Sequence, residues 1–520
     1  MTVLTAQKLL FEASDWNYDT LRRIYDAIED VALNELHLDV YPNQIEVITS
    51  EQMLDAYASI GMPLMYRHWS FGKRFATEET RYRRGMQGLA YEMVINANPC
   101  ISYVMEENSA TMQALVIAHA AFGHNHFFKN NYLFRQWTDA DTVLDDLSYA
   151  KSFVAKCEEE HGVEAVEEIL DAAHALMHHG VHRSSSKMRA SAADYRKRQA
   201  ERRAYESQSY NDIWRTVPNK TSSSESTLAA GDTKEAPSLE DREKLNLPQE
   251  NLLYFLEQYA PKLADWQREL LHIVQQVAQY FYPQRQTKVM NEGAATFVHY
   301  EIMNRLFDRG LIGEGAMLEF IRSHSQVLYQ PGFDSQRYSG LNPYTLGFTM
   351  MCDIQRICDD PSEEDAEWFP HIAGNGDGLG TLREAWADFR DESFILQYLS
   401  PRVIRDLRLF TLSDEAGAPK YVVKAIHDER GYRDVRRALA RQYEIGTQDP
   451  DIQVVEVDLA GNRRLVLRHT VHDGILLDKI QCDEVLVYLA RLWGYGVKLI
   501  EVDAVTDKVL KEHSAVPLPS

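Results

Sequence analysis

The alternation of apolar and polar residues along the chain predicts a mainly helical body with strands gathered towards its end. In "DTLRRIYDAIEDVALNEL", Leu21, Ile24, Ile28 and Val31 recur at three-to-four spacing and form one apolar stripe, so residues 1–60 read as helices. "GMPLMYRHWSFGKRF" (61–75) is aromatic, non-periodic and interrupted by glycine and proline, as suits an ordered loop packed on the core. "VINANPCISYVMEENS" (94–109) reads as extended, with a turn signal at Asn98-Pro99 and the β-branched and aromatic run "ISYVME". Asn108 or Ser109 then stands ready to cap a helix over "ATMQALVIAHAAF", which Gly123 weakens or ends. A further amphipathic helix is predicted over "VEAVEEILDAAHALMHHGVHR" (163–183).

Periodicity then disappears. The stretch "NKTSSSESTLAAGDTKEAPS" (219–238) has no apolar face and cannot bury enough surface to offset the ordering of its backbone, so 184–247 is expected to be a mobile linker. Helical patterns return at "ENLLYFLEQYAPKLADWQRELL" and in "NEGAATFVHYEIMNRLFDRGLI" (291–312), followed by mixed helix and loop to residue 415. Beyond that, "KYVVKAIH" suggests a strand, "RGYRDVRRALARQYEI" a helix, and "IQVVEVDLAGNRRLVLRHTVHD" two strands around a Gly-Asn turn. "CDEVLVYLARLWGYG" and "VKLIEVD" add a helix and a last strand, giving the order β-α-β-β-α-β. The predicted fold class is α+β: a helical lobe at 1–183, the linker at 184–247, a second lobe at 248–415 completing the same body, a C-terminal α+β domain at 416–505, and a tail at 506–520.

Composition narrows the function classes. A net charge of −23 argues against nucleic acid or an anionic membrane as the main partner. Five cysteines without CxxC spacing fit a reducing compartment with no disulfide framework. No apolar run reaches the roughly 18–20 residues that span a bilayer, and "MTVLTAQKLLFEASDW" lacks the parts of a signal peptide. A cytoplasmic protein is expected. No P-loop ends "AGNGDGLG", which reads as a turn, and no G-x-S-x-G marks a serine hydrolase. His174, His178 and His182 recur every four residues, with His179 beside them, and read as one solvated helix face.

The candidate chemistry lies in "VIAHAAFGHNHFFKNN" (116–131), which carries His119, His124 and His126 on an apolar run. In H-E-x-x-H hydrolases two histidines one turn apart hold zinc. Here His119 and His124 are five residues apart, about 140° round an ideal α-helix. A π-bulge, or a break at Gly123, would bring His124 round to the same side. Beyond the linker, "NEGAATFVHYEIM" offers Glu292 and His299 two turns apart on one face, and it looks like the second, glutamate-bearing helix of the glutamate zincins. The expected site is therefore zincin-like, a strand followed by a metal-binding helix. His119, His124 and Glu292 would be ligands of a divalent metal, zinc foremost, with His299 as fourth ligand or behind them. Position 120 is Ala where the zincin motif has its general-base glutamate; Glu92 and Glu106 are the candidates to replace it. The alternative from the same residues is a packed, purely structural histidine cluster.

Taken together, "GMPLMYRHWSFGKRF", "YEMVINANPCISYVMEENS", "IAHAAFGHNHFFKNN", "MNEGAATFVHYEIMN" and "NPYTLGF" resemble the bacterial SpoVR family (stage V sporulation protein R-like), from about residue 10 to 505. The resemblance carries over to His119, His124, Glu292 and His299, and to His126 as the replacement for an aspartate. It implies a role in sporulation or in stationary-phase stress, beside a PrkA-type serine kinase and a von Willebrand-type partner protein. It implies no settled reaction. Two readings follow: a metal-dependent hydrolase of an amide-like bond, or a non-enzymatic scaffold in the kinase complex.

Overall fold

Strand β3 (Cys100–Met105) supplies the centre of a three-stranded sheet, with β1 (Asn43–Ile48) parallel on one side and β2 (Glu92–Ile95) antiparallel on the other. The computed structural model describes residues 9–59, 65–77, 92–183, 245–413 and 422–517, with 72, 74, 75, 246, 334, 425–428, 460 and 473 left out of those spans. The predicted linker at 184–247 thus lies almost wholly outside the described residues. The chain divides into two compact units, one of residues 1–160 and 279–448, the other of 161–278 and 449–520.

In the first unit, α1 (Tyr18–Asp30) starts at an Asn17 side chain that accepts from the Thr20 amide, and it buries Leu21, Ile24 and Ile28 as the stripe predicts. Residues 1–60 are not all helical, however, because β1 occupies 43–48. "NQIEVI" is too short and too polar at its edges for the periodicity to show, and its pairing with β3 holds it extended. Helix α2 (Ala110–Ile117) begins at Ser109, whose hydroxyl accepts from the Met112 amide, and every residue of it is buried. A π-helix (Ala118–His124) and α3 (Asn125–Asn130) continue it without a stop.

Gly123 therefore does not end the helix. A Cβ there would stand 2.6 Å from the Ala295 Cα, so glycine is what allows the π-helix to lie directly on α4 (Lys288–Asp308). On its other side α4 meets α6 (Pro343–Asp359) at a second such contact, where a Cβ on Gly293 would come 2.6 Å from the Gly347 Cα. The buried Asp391, first residue of α7 (Asp391–Tyr398), accepts from the Val289 and Met290 amides at 2.9 and 2.8 Å and so caps the start of α4. Helix α5 (Glu314–Val327) buries Phe320 and His324.

The predicted C-terminal order β-α-β-β-α-β is present along the chain, but its first strand and helix belong to the first unit, and a further strand follows the last one. Strand β5 (Val422–Lys424) pairs with β4 (Thr411–Ser413), and α8 (Glu429–Tyr443) buries Val435, Leu439 and Ala440 in the core of the first unit. The four-stranded sheet of the second unit is β6 (Asp451–Val457), β7 (Leu465–Val471), β8 (Val497–Asp503) and β9 (Val509–Ala515), in that order. Helix α9 (Lys479–Trp493) makes the crossover between the parallel strands β7 and β8. Strand β9 falls in the segment expected to be a tail. Its His513 is buried against Glu501 of β8 at 2.9 Å, an anchor that a hydropathy pattern does not reveal. The helix predicted over 163–183 stops at Ala175. His178 and His179 lie in a 3-10 turn after it, so the spaced histidines do not share one helix face. The second unit has a half-open pocket of about 280 Å³ between α9, β7, β8 and this turn.

Candidate metal centre

The π-helix removes the register problem of the five-residue spacing. Its i→i+5 bonding puts the fifth residue one turn on, so His119 and His124 come to the same side with ring centroids 4.6 Å apart. The close approach at Gly123 then brings Glu292 of α4 up to both rings. His119 Nε2 lies 3.8 Å and His124 Nε2 3.6 Å from Glu292 Oε2. From the start of β2, Glu92 completes the group, its Oε1 3.2 Å from His119 Nε2. One ligand atom from each of Glu92, His119 and His124 lies within 4.8 Å of the others. Tetrahedral ligands at ~2.1 Å from one ion stand about 3.4 Å apart, close to the 3.2, 3.8 and 3.6 Å that separate the histidine Nε2 atoms from the carboxylate oxygens.

The remaining atoms of these side chains have defined roles. His124 Nδ1 is 2.9 Å from the side-chain oxygen of Asn291; that oxygen accepts, so the proton sits on Nδ1 and the Nε2 lone pair faces Glu292. His119 Nδ1 lies 2.9 Å from His299 Nδ1, and His299 Nε2 lies 2.8 Å from His324 Nδ1. The Ala295 backbone also accepts from the His119 ring, and the Tyr344 hydroxyl donates to Glu292. Glu92 Oε2 and Glu292 Oε2 are buried and have no hydrogen-bond partner among the described residues. An unpartnered Glu292 oxygen facing two imidazole nitrogens, with the Glu92 carboxylate beside them, is the donor set of a divalent cation, so the residues fit one.

Burial pushes the Glu92 carboxyl up to about 7; the neighbouring Glu292 charge adds to this and His119 opposes it. Burial also raises Glu292, but His119, His124 and Tyr344 outweigh it and hold its pKa low. For His119 burial works against the charged ring, yet Glu92 and Glu292 raise it overall. Burial takes His124 and His324 down to about 4 and His299 well below its ordinary value. Three of the four imidazoles are therefore neutral near pH 7 and have lone pairs to give.

The structure does not gather all the candidates. His126 turns away: its Nδ1 accepts from the Asp39 amide at 2.9 Å and its ring stands edge-on to Trp386 at 5.7 Å. One residue beyond the π-helix, α-helical spacing resumes and carries it to the opposite face. Glu106 is exposed at the turn after β3. His299 touches His119 rather than the carboxylates. Glu92 does reach the group, as does Glu292. Sequence reasoning missed Asn291, His324 and Tyr344, although Asn291 and Tyr344 stand inside the motifs "MNEGAATF" and "NPYTLGF".

An α+β protein with a two-histidine, two-carboxylate cluster embedded beside an edge strand is the class that fold and site define. The family described as SpoVR like protein matches residues 15–448, and the SpoVR-like C-terminal domain matches 450–504. The chain belongs to the SpoVR family. It is 52% identical over 490 residues, 94% of this chain and 93% of the relative, to "Uncharacterized protein YcgB" of Escherichia coli (strain K12). No solved structure matches it. No helix among the described residues is long and apolar enough to cross a membrane.

Proposed function

We propose that this SpoVR-family chain holds one divalent metal, zinc foremost, on His119, His124 and Glu292, with Glu92 beside it, and hydrolyses an amide-type bond in sporulation or stationary-phase stress. The observation that supports this best is the convergence of two imidazole Nε2 atoms on Glu292 Oε2, a buried oxygen with no hydrogen-bond partner among the described residues, with Glu92 Oε1 beside His119. A bound ion would polarise a carbonyl and lower the pKa of a water ligand. The chain's own groups would do the rest. Asn291 fixes the ring of His124, and Glu92 is the carboxylate nearest to replacing the general base absent at Ala120. Tyr344 directs a hydroxyl donor at the Glu292 carboxylate and is placed to steady charge developing on a substrate oxygen. The carboxylate side chains of Glu92 and Glu292 remain 18% and 20% exposed, which leaves a substrate an approach.

The test is metal analysis of protein purified without a histidine tag, before and after reconstitution with zinc, manganese or iron. One equivalent of metal, lost in His124→Ala and Glu292→Gln, is the expected result. A reconstituted wild type that stays metal-free would end this reading. Ala120 favours one rival, a non-enzymatic scaffold for a PrkA-type serine kinase and a von Willebrand-type protein. Pull-down of the kinase by a folded, metal-free His119→Ala variant as efficiently as by wild type, with no hydrolysis by either, would decide for the scaffold.

A further inference from the structure

We infer that His299 and His324 are positioning residues, a line of imidazoles that sets the tautomer of His119 so that its Nε2 lone pair faces Glu92 and Glu292. This rests on the metal reading above. Each contact in the line, 2.9 Å from His119 Nδ1 to His299 Nδ1 and 2.8 Å from His299 Nε2 to His324 Nδ1, requires one proton between two nitrogens. With all three rings neutral each carries one proton, so the positions are coupled and only two arrangements satisfy both contacts. In the first, His119 donates from Nδ1, His299 donates from Nε2 and His324 Nδ1 accepts; His119 Nε2 then has a free lone pair. In the second every proton is reversed, and His119 Nε2 carries a hydrogen that blocks coordination. The choice is made at the far end of the line, at His324.

The surroundings suit such a device. His299 is 1% exposed and lies edge-on to Phe320, so water does not satisfy its nitrogens. His324 is stacked on Tyr300 at 5.2 Å and edge-on to Phe348 at 4.9 Å, which fixes the ring plane, and at 8% it is the most exposed of the three. Without an acceptor at position 324, a proton on His299 Nε2 would be buried and unpartnered. His299 would then carry its proton on Nδ1 and donate to His119, forcing the blocking arrangement. A substitution two residues removed from the carboxylates in the contact line thus acts on the metal site through proton placement alone.

The test compares His324→Phe, which removes the acceptor and keeps an aromatic ring, with His324→Gln, whose side-chain carbonyl can still accept. Zinc affinity is measured by chelator competition, and histidine tautomers are read from ¹⁵N shifts of histidine-labelled, metal-free protein at a pH high enough that His119 is neutral. His324→Phe is expected to lose about 10–100-fold in zinc affinity, the usual effect of losing an outer-shell partner, and to move the His119 proton to Nε2. His324→Gln is expected to stay within a few fold of wild type with the proton on Nδ1. Equal affinity losses in the two variants, or a His119 tautomer that His324→Phe leaves unchanged because Ala295 alone holds it, would overturn the inference. If wild type binds no metal, the metal reading fails, while the tautomer comparison still decides the positioning role.

Discussion

Substituting Gly123 by alanine tests the claim that one close helix contact assembles the centre. The new Cβ would lie 2.6 Å from the Ala295 Cα and 2.9 Å from its Cβ. Ordinary carbon contact begins near ~3.5 Å, so the π-helix and α4 must part by about 1 Å. Their opposite faces are held: Phe122 and Phe297 are fully buried, and α4 meets α6 at Gly293 and Gly347. Relief therefore has to come at the contact itself. Overpacking of this kind costs about 1–3 kcal/mol, or several degrees in Tm. Metal ligation tolerates only about 0.2 Å, so the movement should cost metal affinity tenfold or more. Gly315, exposed in the first turn of α5 with nothing within 4 Å of an added Cβ, is the control; alanine there should leave affinity unchanged and Tm equal or slightly higher. Differential scanning fluorimetry and zinc competition on both variants suffice. A Gly123→Ala protein with wild-type Tm and wild-type affinity would refute the reasoning.

Three further outcomes are expected. Burial raises Asp391 to about 7 despite its backbone donors, so the folded chain keeps this proton where the unfolded chain has lost it; stability should fall as pH rises from about 4 to about 7, by at most ~1.4 kcal/mol per unit. Asp391→Asn should flatten that contribution, and urea melts showing the same slope in variant and wild type would disprove it. His126→Ala should leave metal stoichiometry intact but cost about 1–3 kcal/mol, because it orphans the Asp39 amide; loss of metal in a folded His126→Ala would contradict the placement of His126 on the far face of the helix. In the second unit Glu501 is fully buried and accepts from His469, His513 and the Leu477 amide. Glu501→Gln should destabilise β9 by about 1–3 kcal/mol, and unchanged hydrogen exchange along Val509–Ala515 would count against that.

What the sequence discloses depends on whether the decisive interaction is local. The stripe of α1, the Ser109 cap and the run that becomes β3 are written in neighbouring residues and can be read directly. Strand β1 cannot, since its conformation comes from pairing with residues more than fifty positions away. Among the site residues, His119, His124 and Glu292 are visible as chemistry in motifs. Whether His124 comes round depends on a π-helix that spacing permits but does not demand. Glu92 is only one of two loose candidates until strand pairing sets β2 beside the π-helix, while Glu106 stays in a solvent-facing turn. His324 carries no motif at all; its role comes from one ring nitrogen meeting another across two helices. The C-terminal element order is legible, but the unit that its first helix joins is not, because α8 has an apolar stripe that fits either unit and hydropathy does not name the partner.

Every residue from Ala110 to His124 is buried, and much of the cover over that segment is α4, which begins at Lys288. On a ribosome adding roughly 5–20 residues per second, the apolar segment waits on the order of ten to thirty seconds for its cover to be made. During that interval the nascent chain exposes a greasy rod with histidines along it, a target for chaperones or for stray cations. Fragments ending before Lys288 would keep that surface permanently, so the two halves of the gene's product are bound to one another in biogenesis as firmly as in the finished fold.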